Sequence, residues 1–383
     1  MSSAAIAGVY EHPTRDAPDT SVTELHAEIT AETLDDAGLT IDDVDAYFTA
    51  GDPAGMFSVL SMIDYLGLED LSHIEGTDIG GSSYVSHLGH AASAIEAGDC
   101  EVALLTMAGR PRNSSSPPEN KTPEAGFEDL YGLSAPATYA LAARRHMHEF
   151  GTTSEQLAEV RVAASHHAQY NENAMFQEPV TVDDVVESPL VCDPLHLLDC
   201  CVVSDGGGGI LVVSDERAAE LERKCIPVLG CGEAVKHPHG GAVDLTYTAA
   251  VDSGPRAFSE ADVDHDDIDY ASIYDSFTIT VVETLEDLGF CEKGDGGSFV
   301  EGGTLKAPDG DLPYNTDGGG LCNNHPGNRG GMTKVIEAVR QLRGEAAPEL
   351  QVPDCETALV HGTGGSIGTR MGSVTAILGR ETV

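Results

Sequence analysis

Basic residues are scarce in this chain: Lys and Arg total 20 against 64 Asp and Glu, a formal net charge of −44, and the few cations do not cluster. A phosphate backbone demands a basic groove, so a nucleic-acid partner is not expected. Long apolar runs are missing too. No stretch approaches the ~20 apolar residues of a membrane span. The opening MSSAAIAGVYEHPTRD lacks the basic-then-apolar order of an export leader, so the expected location is cytoplasmic, away from membranes. The nine cysteines show no paired spacing and read as free thiols. Cys200 and Cys201 are adjacent, but without a second pair they fit buried packing better than zinc, and no metal site is expected. The glycine turns match neither a dinucleotide fingerprint nor a Walker loop. Short repeats and low-complexity tracts are absent.

What remains is a chain of 383 residues with 41% hydrophobic content, long enough for two domains or two similar halves. Dispersed acid on a chain this apolar describes a folded protein with an acidic coat, the surface expected of adaptation to a salt-rich, halophilic cytoplasm. The pattern alternates. SVTELHAEITAETLDDAG reads as a helix stopped at Gly38, followed by a strand around Val44 to Phe48, and EVALLTMAG is a continuous apolar run of buried-strand length. RPRNSSSPPENKTPEAGFE, from Arg110 to Glu128, is a loop opening an inserted region. PATYALAARRHMHEFG and TTSEQLAEVRVAASHHAQYN then form a helical pair, the first ending at Gly151 and the second opening in a capping-box-like Thr153–Glu155 neighbourhood. In DCCVVSDGGGGILVVS the glycine run lets two backbones approach closely. Strand, glycine turn and helix recur after about residue 250, as a duplicated α/β half requires.

Chemistry points first to GTDIGGSSYVSHLGHAASAIEAG, Gly76 to Gly98. Tyr84, Leu88, Ala91 and Ile95 fall on one helical face, Gly98 suits a left-handed C-cap, and Ser82 and Ser83 stand at the helix entrance. There a hydroxyl either caps the helix or reacts where amide hydrogens favour a developing negative charge. His325 in GGGLCNNHPGNRGG and His361 in LVHGTGG also sit in glycine turns. Ser–His–His would supply a nucleophile, its activating base and a second acid/base, while plain turn histidines are the competing reading. His87, His90, His146, His148, His166 and His167 lie on helices without metal-binding i, i+4 spacing and read as structural. Cys100 and Cys322 read as packing residues.

Taken together, ATYALAARRHMHEFGTTSEQLAEVRVAASHHAQYNENAMFQEPVTVDDVV, DPLHLLDCCVVSDGGGGILVVS, YDSFTITVVETLEDLGFC and PYNTDGGGLCNNHPG resemble, in family order, the thiolase superfamily. The similarity is to the sterol-carrier (lipid-transfer) type of acetyl-CoA acetyltransferase. This resemblance implies a five-layered αβαβα core of two similar halves, here residues 1–252, with an inserted region at about 110–195, and 253–383. It implies Claisen condensation or thiolysis of acyl-CoA, with coenzyme A thioesters as substrates and no other cofactor. Asn315, Gly318, Gly319 and His325 match the family's Asn–Gly–Gly…His–Pro loop. His361, ahead of Gly364 and Gly365, falls where a second cysteine is usual. The nucleophilic cysteine coincides with Gly81, leaving Ser83, with Ser82 in reserve, as the expected nucleophile of a β-ketothiolase subunit. The alternative is a non-catalytic acyl-CoA or lipid-binding subunit. A homodimer or higher oligomer and a small OB-fold/zinc-ribbon partner complete what the resemblance implies.

Overall fold

The computed structural model describes residues 4–51, 58–114, 125–132, 134–237, 243–327 and 330–379. Its first half runs β1 (Ala4–Glu11), α1 (Val22–Ala37), β2 (Ala46–Phe48), α2 (Ser58–Leu66), β3 (His73–Glu75), α3 (Ser83–Ala97) and β4 (Val102–Gly109). An insertion follows, holding α4 (Ala125–Glu128), α5 (Ala135–Phe150), α6 (Ser154–Ala168), α7 (Val182–Val186), β5 (Leu190–Cys192) and β6 (Leu195–His196). β7 (Gly206–Ser214) and α8 (Asp215–Ala218) close that half. The second comprises β8 (Ile226–Lys236), α9 (Ala250–Ala261), β9 (Tyr270–Ile273), α10 (Thr278–Leu288), α11 (Gly296–Phe299), α12 (Gly319–Cys322), α13 (Gly331–Arg343), β10 (Thr357–Ser366) and β11 (Thr369–Gly379). Residues 115–124, in the middle of the expected loop, lie outside the described residues.

Among the described residues nine strands share one sheet in the order β3-β2-β4-β7-β1-β8-β11-β10-β9. The order betrays the duplication, because β2-β4-β7-β1 in one half repeats as β9-β10-β11-β8 in the other. Even β3 has a counterpart: Tyr314 bridges Ala271 of β9 in parallel, as β3 pairs with β2. The halves meet where β1 touches β8 over two residue pairs, Ala5 with Pro227 and Ile6 with Ile226. The repeat therefore begins at β8, ahead of the break expected after Asp252, and the insertion extends to β7.

Strand alternation builds the layers. On β4, Ala103, Leu105 and Met107 face a central cluster with Leu88 of α3 and Val335 of α13, while Val102 and Leu104 face Leu34 and Met62 outside. Both α3 and α13 pack against strands of both halves. The layers thus read α1/α2, half-sheet, α3/α13, half-sheet, α9/α10, the expected αβαβα arrangement. Each fully buried Leu, Val or Met stabilises it by about 1.5–3 kcal/mol.

Local signals behave as their chemistry dictates. Ser21 and Glu24 form a capping box on α1, and Gly38 ends it at φ 70°. α6 opens with a capping box too, but between Thr153 and Gln156 rather than Glu155. A Cβ on Gly207 would lie 1.9 Å from Met107 O, and one on Gly209 2.2 Å from Thr33 Oγ1, so the glycine run does permit close approach. The insertion leans on the second half. Tyr139 stacks on Phe277 at 4.5 Å, buried His146 Nε2 meets Glu286 Oε2 at 3.0 Å, and Arg161 donates to Leu321 O. No helix among the described residues is long and apolar enough to cross a membrane, and no cluster there could hold a metal ion.

Candidate functional site

Before α3 the chain makes one 3-10 turn, Gly80–Ser82, pressed against β10. A Cβ at Gly362 would lie 2.8 Å from Ser82 Cα, and one at Gly364 1.7 Å from Ile79 O. The glycines of β10 therefore let two backbones touch. Gly364 also faces Gly372 across the β10–β11 ladder. Gly364 is thus tightly packed, while the exposed Gly365 turns the strand at φ 81°.

Neither serine is set up as a nucleophile. Ser82, fully buried, directs its hydroxyl at Ile79 O (3.0 Å) and Gly372 O (3.3 Å). Ser83 donates to Gly80 O at 2.7 Å and accepts the Ile79 amide at 3.0 Å. Among the described residues neither hydroxyl bonds to an imidazole; Ser83 lies 3.4 Å from Asp78 Oδ1 instead, and the hydroxyls hold the turn together.

His361 does not join this turn. Gly362 faces Ser82, so by strand alternation the His361 side chain points to the opposite side of the sheet. There its Nδ1 meets Thr375 Oγ1 at 2.9 Å, and Thr375 in turn meets Ser253 of α9 at 2.9 Å. Burial pushes its imidazole down to about 3.

The Asn–Gly–Gly loop is also consumed internally. Asn315, wholly buried, accepts the Ile273 amide and donates to Ile273 O, both at 2.8 Å, extending β9 with its side chain. Gly318 N donates to Asn315 O and Gly319 N to Asp317 Oδ1, each at 2.9 Å. These residues shape the loop and offer those amide hydrogens to no ligand.

His325 differs from the other expected residues in that its ring meets the phenol of Tyr274, a residue the motifs did not single out. Tyr274 leaves the end of β9, its amide donating to His361 O at 2.9 Å, and its phenol oxygen lies 2.7 Å from His325 Nε2. The His325 amide donates to buried Ser204 Oγ at 2.9 Å, which fixes the loop. Burial, aided by the Lys334 ammonium, pushes the imidazole down to about 4, so it is neutral at neutral pH. Behind the loop, Glu11 at the end of β1 takes Asn323 Nδ2 at 3.1 Å, Asn324 Nδ2, and the Arg15 and Arg340 guanidiniums at 2.6 and 3.1 Å.

Gly81 explains the vacant nucleophile position. A Cβ there would sit 2.3 Å from Thr363 O, 2.5 Å from Tyr274 Cζ and 2.7 Å from Tyr274 Cε2. The tyrosine ring fills the space any side chain at 81 would need. Gly81→Ala is accordingly expected to destabilise the fold by about 1–3 kcal/mol, the usual cost of overpacking. Denaturant unfolding in high salt measures this, and unchanged stability would place the ring elsewhere.

Comparison with known proteins agrees with the architecture. The Thiolase C-terminal domain-like family profile matches residues 232–380. The acetyl-CoA acetyltransferase of Methanothermobacter thermautotrophicus is 32% identical, over 96% of this chain and 98% of that protein. The steroid side-chain-cleaving aldolase of Thermomonospora curvata is 33% identical over 89% of this chain and 90% of that one. The solved Ltp2-ChsH2(DUF35) aldolase superposes with a TM-score of 0.88 at 32% identity, covering 99% and 98% of the two chains. With its duplicated αβαβα fold and this likeness along nearly its whole length, the chain belongs to the thiolase superfamily, in the sterol-carrier type branch.

Proposed function

We propose that the protein is a carbon–carbon lyase of the aldolase type, acting on β-hydroxyacyl-CoA thioesters by proton transfer through Tyr274 and His325 without an acyl-enzyme. Family membership brings acyl-CoA chemistry of the transferase or lyase kind, and similar proteins carry names from both. One observation supports the lyase reading here: the Tyr274 ring occupies the space of a side chain at Gly81, with its hydroxyl on His325. A thiolase needs a nucleophile to hold the acyl group, whereas retro-aldol cleavage needs only a base, then an acid.

The β-hydroxyl proton passes to Tyr274 Oη as the phenol proton passes to His325 Nε2. The Cα–Cβ electron pair stays on Cα as the thioester enolate, and Cβ leaves as a ketone or aldehyde. The proton then returns from His325 through Tyr274 to Cα. No oxidant, metal or covalent intermediate enters this balance. The DUF35 partner named with the solved aldolase supports a small-subunit partner for this chain as well, and we extend the proposal to a homodimeric core.

The test is an assay of the purified chain, with and without a co-expressed DUF35-type protein, in molar KCl to suit the acidic surface. Carbonyl release from β-hydroxyacyl-CoA without added coenzyme A is the expected result. Coenzyme A-dependent cleavage of acetoacetyl-CoA, with acylated Ser82 or Ser83 in the mass spectrum, would overturn it in favour of a serine β-ketothiolase. Tight acyl-CoA binding with no turnover under any condition would favour the non-catalytic subunit.

A further inference from the structure

A buried ion pair lies directly behind the Tyr274–His325 pair. Lys334, in the first turn of α13, is 2% exposed and places Nζ 3.0 Å from Oδ1 of Asp275, which is itself fully buried. Asp275 follows Tyr274 in sequence, so whatever fixes one fixes the other. Its carboxylate also accepts the amides of Gly320 (2.8 Å) and Leu321 (3.1 Å) at the start of α12. A Cβ at Gly320 would lie 3.0 Å from Asp275 Oδ1 and 3.2 Å from His325 Cδ2. Carboxylate and imidazole therefore stand on either side of one glycine, with the ammonium just beyond.

We propose that Lys334 is a positioning residue for the Tyr274–His325 pair: fastened to Asp275, it locks the phenol against the imidazole and puts a positive charge behind that ring. The inference rests on reading those two residues as the proton-transfer pair. A buried lysine is costly unless paired, and a leucine would pack the site with less penalty, so a charge here has a use beyond packing. The titratable and charged groups around the ring are the Tyr274 phenol and the Lys334 ammonium, with Asp275, Asp317 and Glu11 behind the lysine. Like charge opposes protonation of His325, so the imidazole rests neutral with a ring nitrogen able to accept the phenol's hydrogen bond.

The experiment is NMR titration of ¹³C-histidine-labelled protein without substrate, His325→Gln identifying the His325 signal. In the parent this signal is expected to remain that of a neutral imidazole down to the pH at which acid unfolds the protein, its own midpoint lying at about 4. In Lys334→Met the midpoint is expected to move up by about one pH unit, and in Lys334→Arg, which keeps the charge, to stay. Should Lys334→Met not fold, Lys334→Gln, which removes the same charge, is expected to give the same upward movement. A folded charge-free variant whose His325 titrates with the parent would overturn the proposal. Because no turnover is needed, that failure is distinct from failure of the lyase reading, which the carbonyl-release assay decides alone.

Discussion

Tyr274→Phe is expected to lower kcat/KM by about 10²- to 10⁴-fold, the usual contribution of a positioned acid–base group. The change removes one oxygen atom and keeps the ring that packs on Gly81. Its structural cost is one hydrogen bond, about 1 kcal/mol, so the variant stays folded and the loss is chemical. Ser82→Ala and Ser83→Ala form the contrast. Their hydroxyls donate to backbone carbonyls, so they are expected to keep turnover within a few-fold of the parent while losing some stability. Steady-state kinetics on the three proteins, with circular dichroism to verify folding, decides the matter. Parent-like activity in Tyr274→Phe would remove the phenol from the mechanism.

Acid is expected to unfold this protein steeply, beginning below about pH 6.5. Burial drives the imidazoles of His87 and His325 down to about 4 and those of His167 and His361 to about 3. The unfolded chain takes up protons on these residues near pH 6.5, but the folded protein cannot. Each histidine's contribution is therefore intact above pH 6.5 and is lost progressively as pH falls toward its folded value. For the fully buried His87, His167 and His361 the full loss is on the order of 3–5 kcal/mol each, enough in sum to exhaust a normal folding stability of about 5–15 kcal/mol. His90 acts in the opposite direction. Its hydrogen bonds to the Glu233 and Glu75 carboxylates raise it to about 10, so its contribution is complete below pH 6.5 and declines as pH rises toward 10. Urea unfolding at fixed KCl from pH 8 to pH 4 measures both slopes, and a flat profile between 7 and 4.5 would contradict the buried neutral histidines.

The fold was largely legible in the sequence because its signals are local. Gly38, Gly98 and Gly151 each end a helix in a left-handed conformation, as read from the helical periodicity before them. The unit boundary was not, since β8 opens the repeat with an alternating strand, IPVLGCGEAVK, that carries no linker composition. Of the proposed Tyr274–His325 pair, His325 was legible, through the His–Pro loop. Ser82, Ser83 and His361 failed for a geometric reason: helix-entrance hydroxyls have nearby carbonyls to satisfy, and a one-residue step along β10 turns His361 to the far face. Tyr274, Asp275, Ser204 and Lys334 were missed because their meaning comes from contacts across long sequence separations. One signal was present: YDSF places two polar side chains where an apolar strand runs into a helix, the position at which sheet ends present functional groups.

The insertion has a bearing on biosynthesis. Its α5 and α6 helices cover α10, a helix that follows them by more than a hundred residues. While the polypeptide leaves the ribosome, Tyr139, Leu157 and Val160 emerge long before the surface that shields them exists. A nascent chain in that condition calls for a chaperone to hold it, and a fragment ending before Thr278 would precipitate rather than fold.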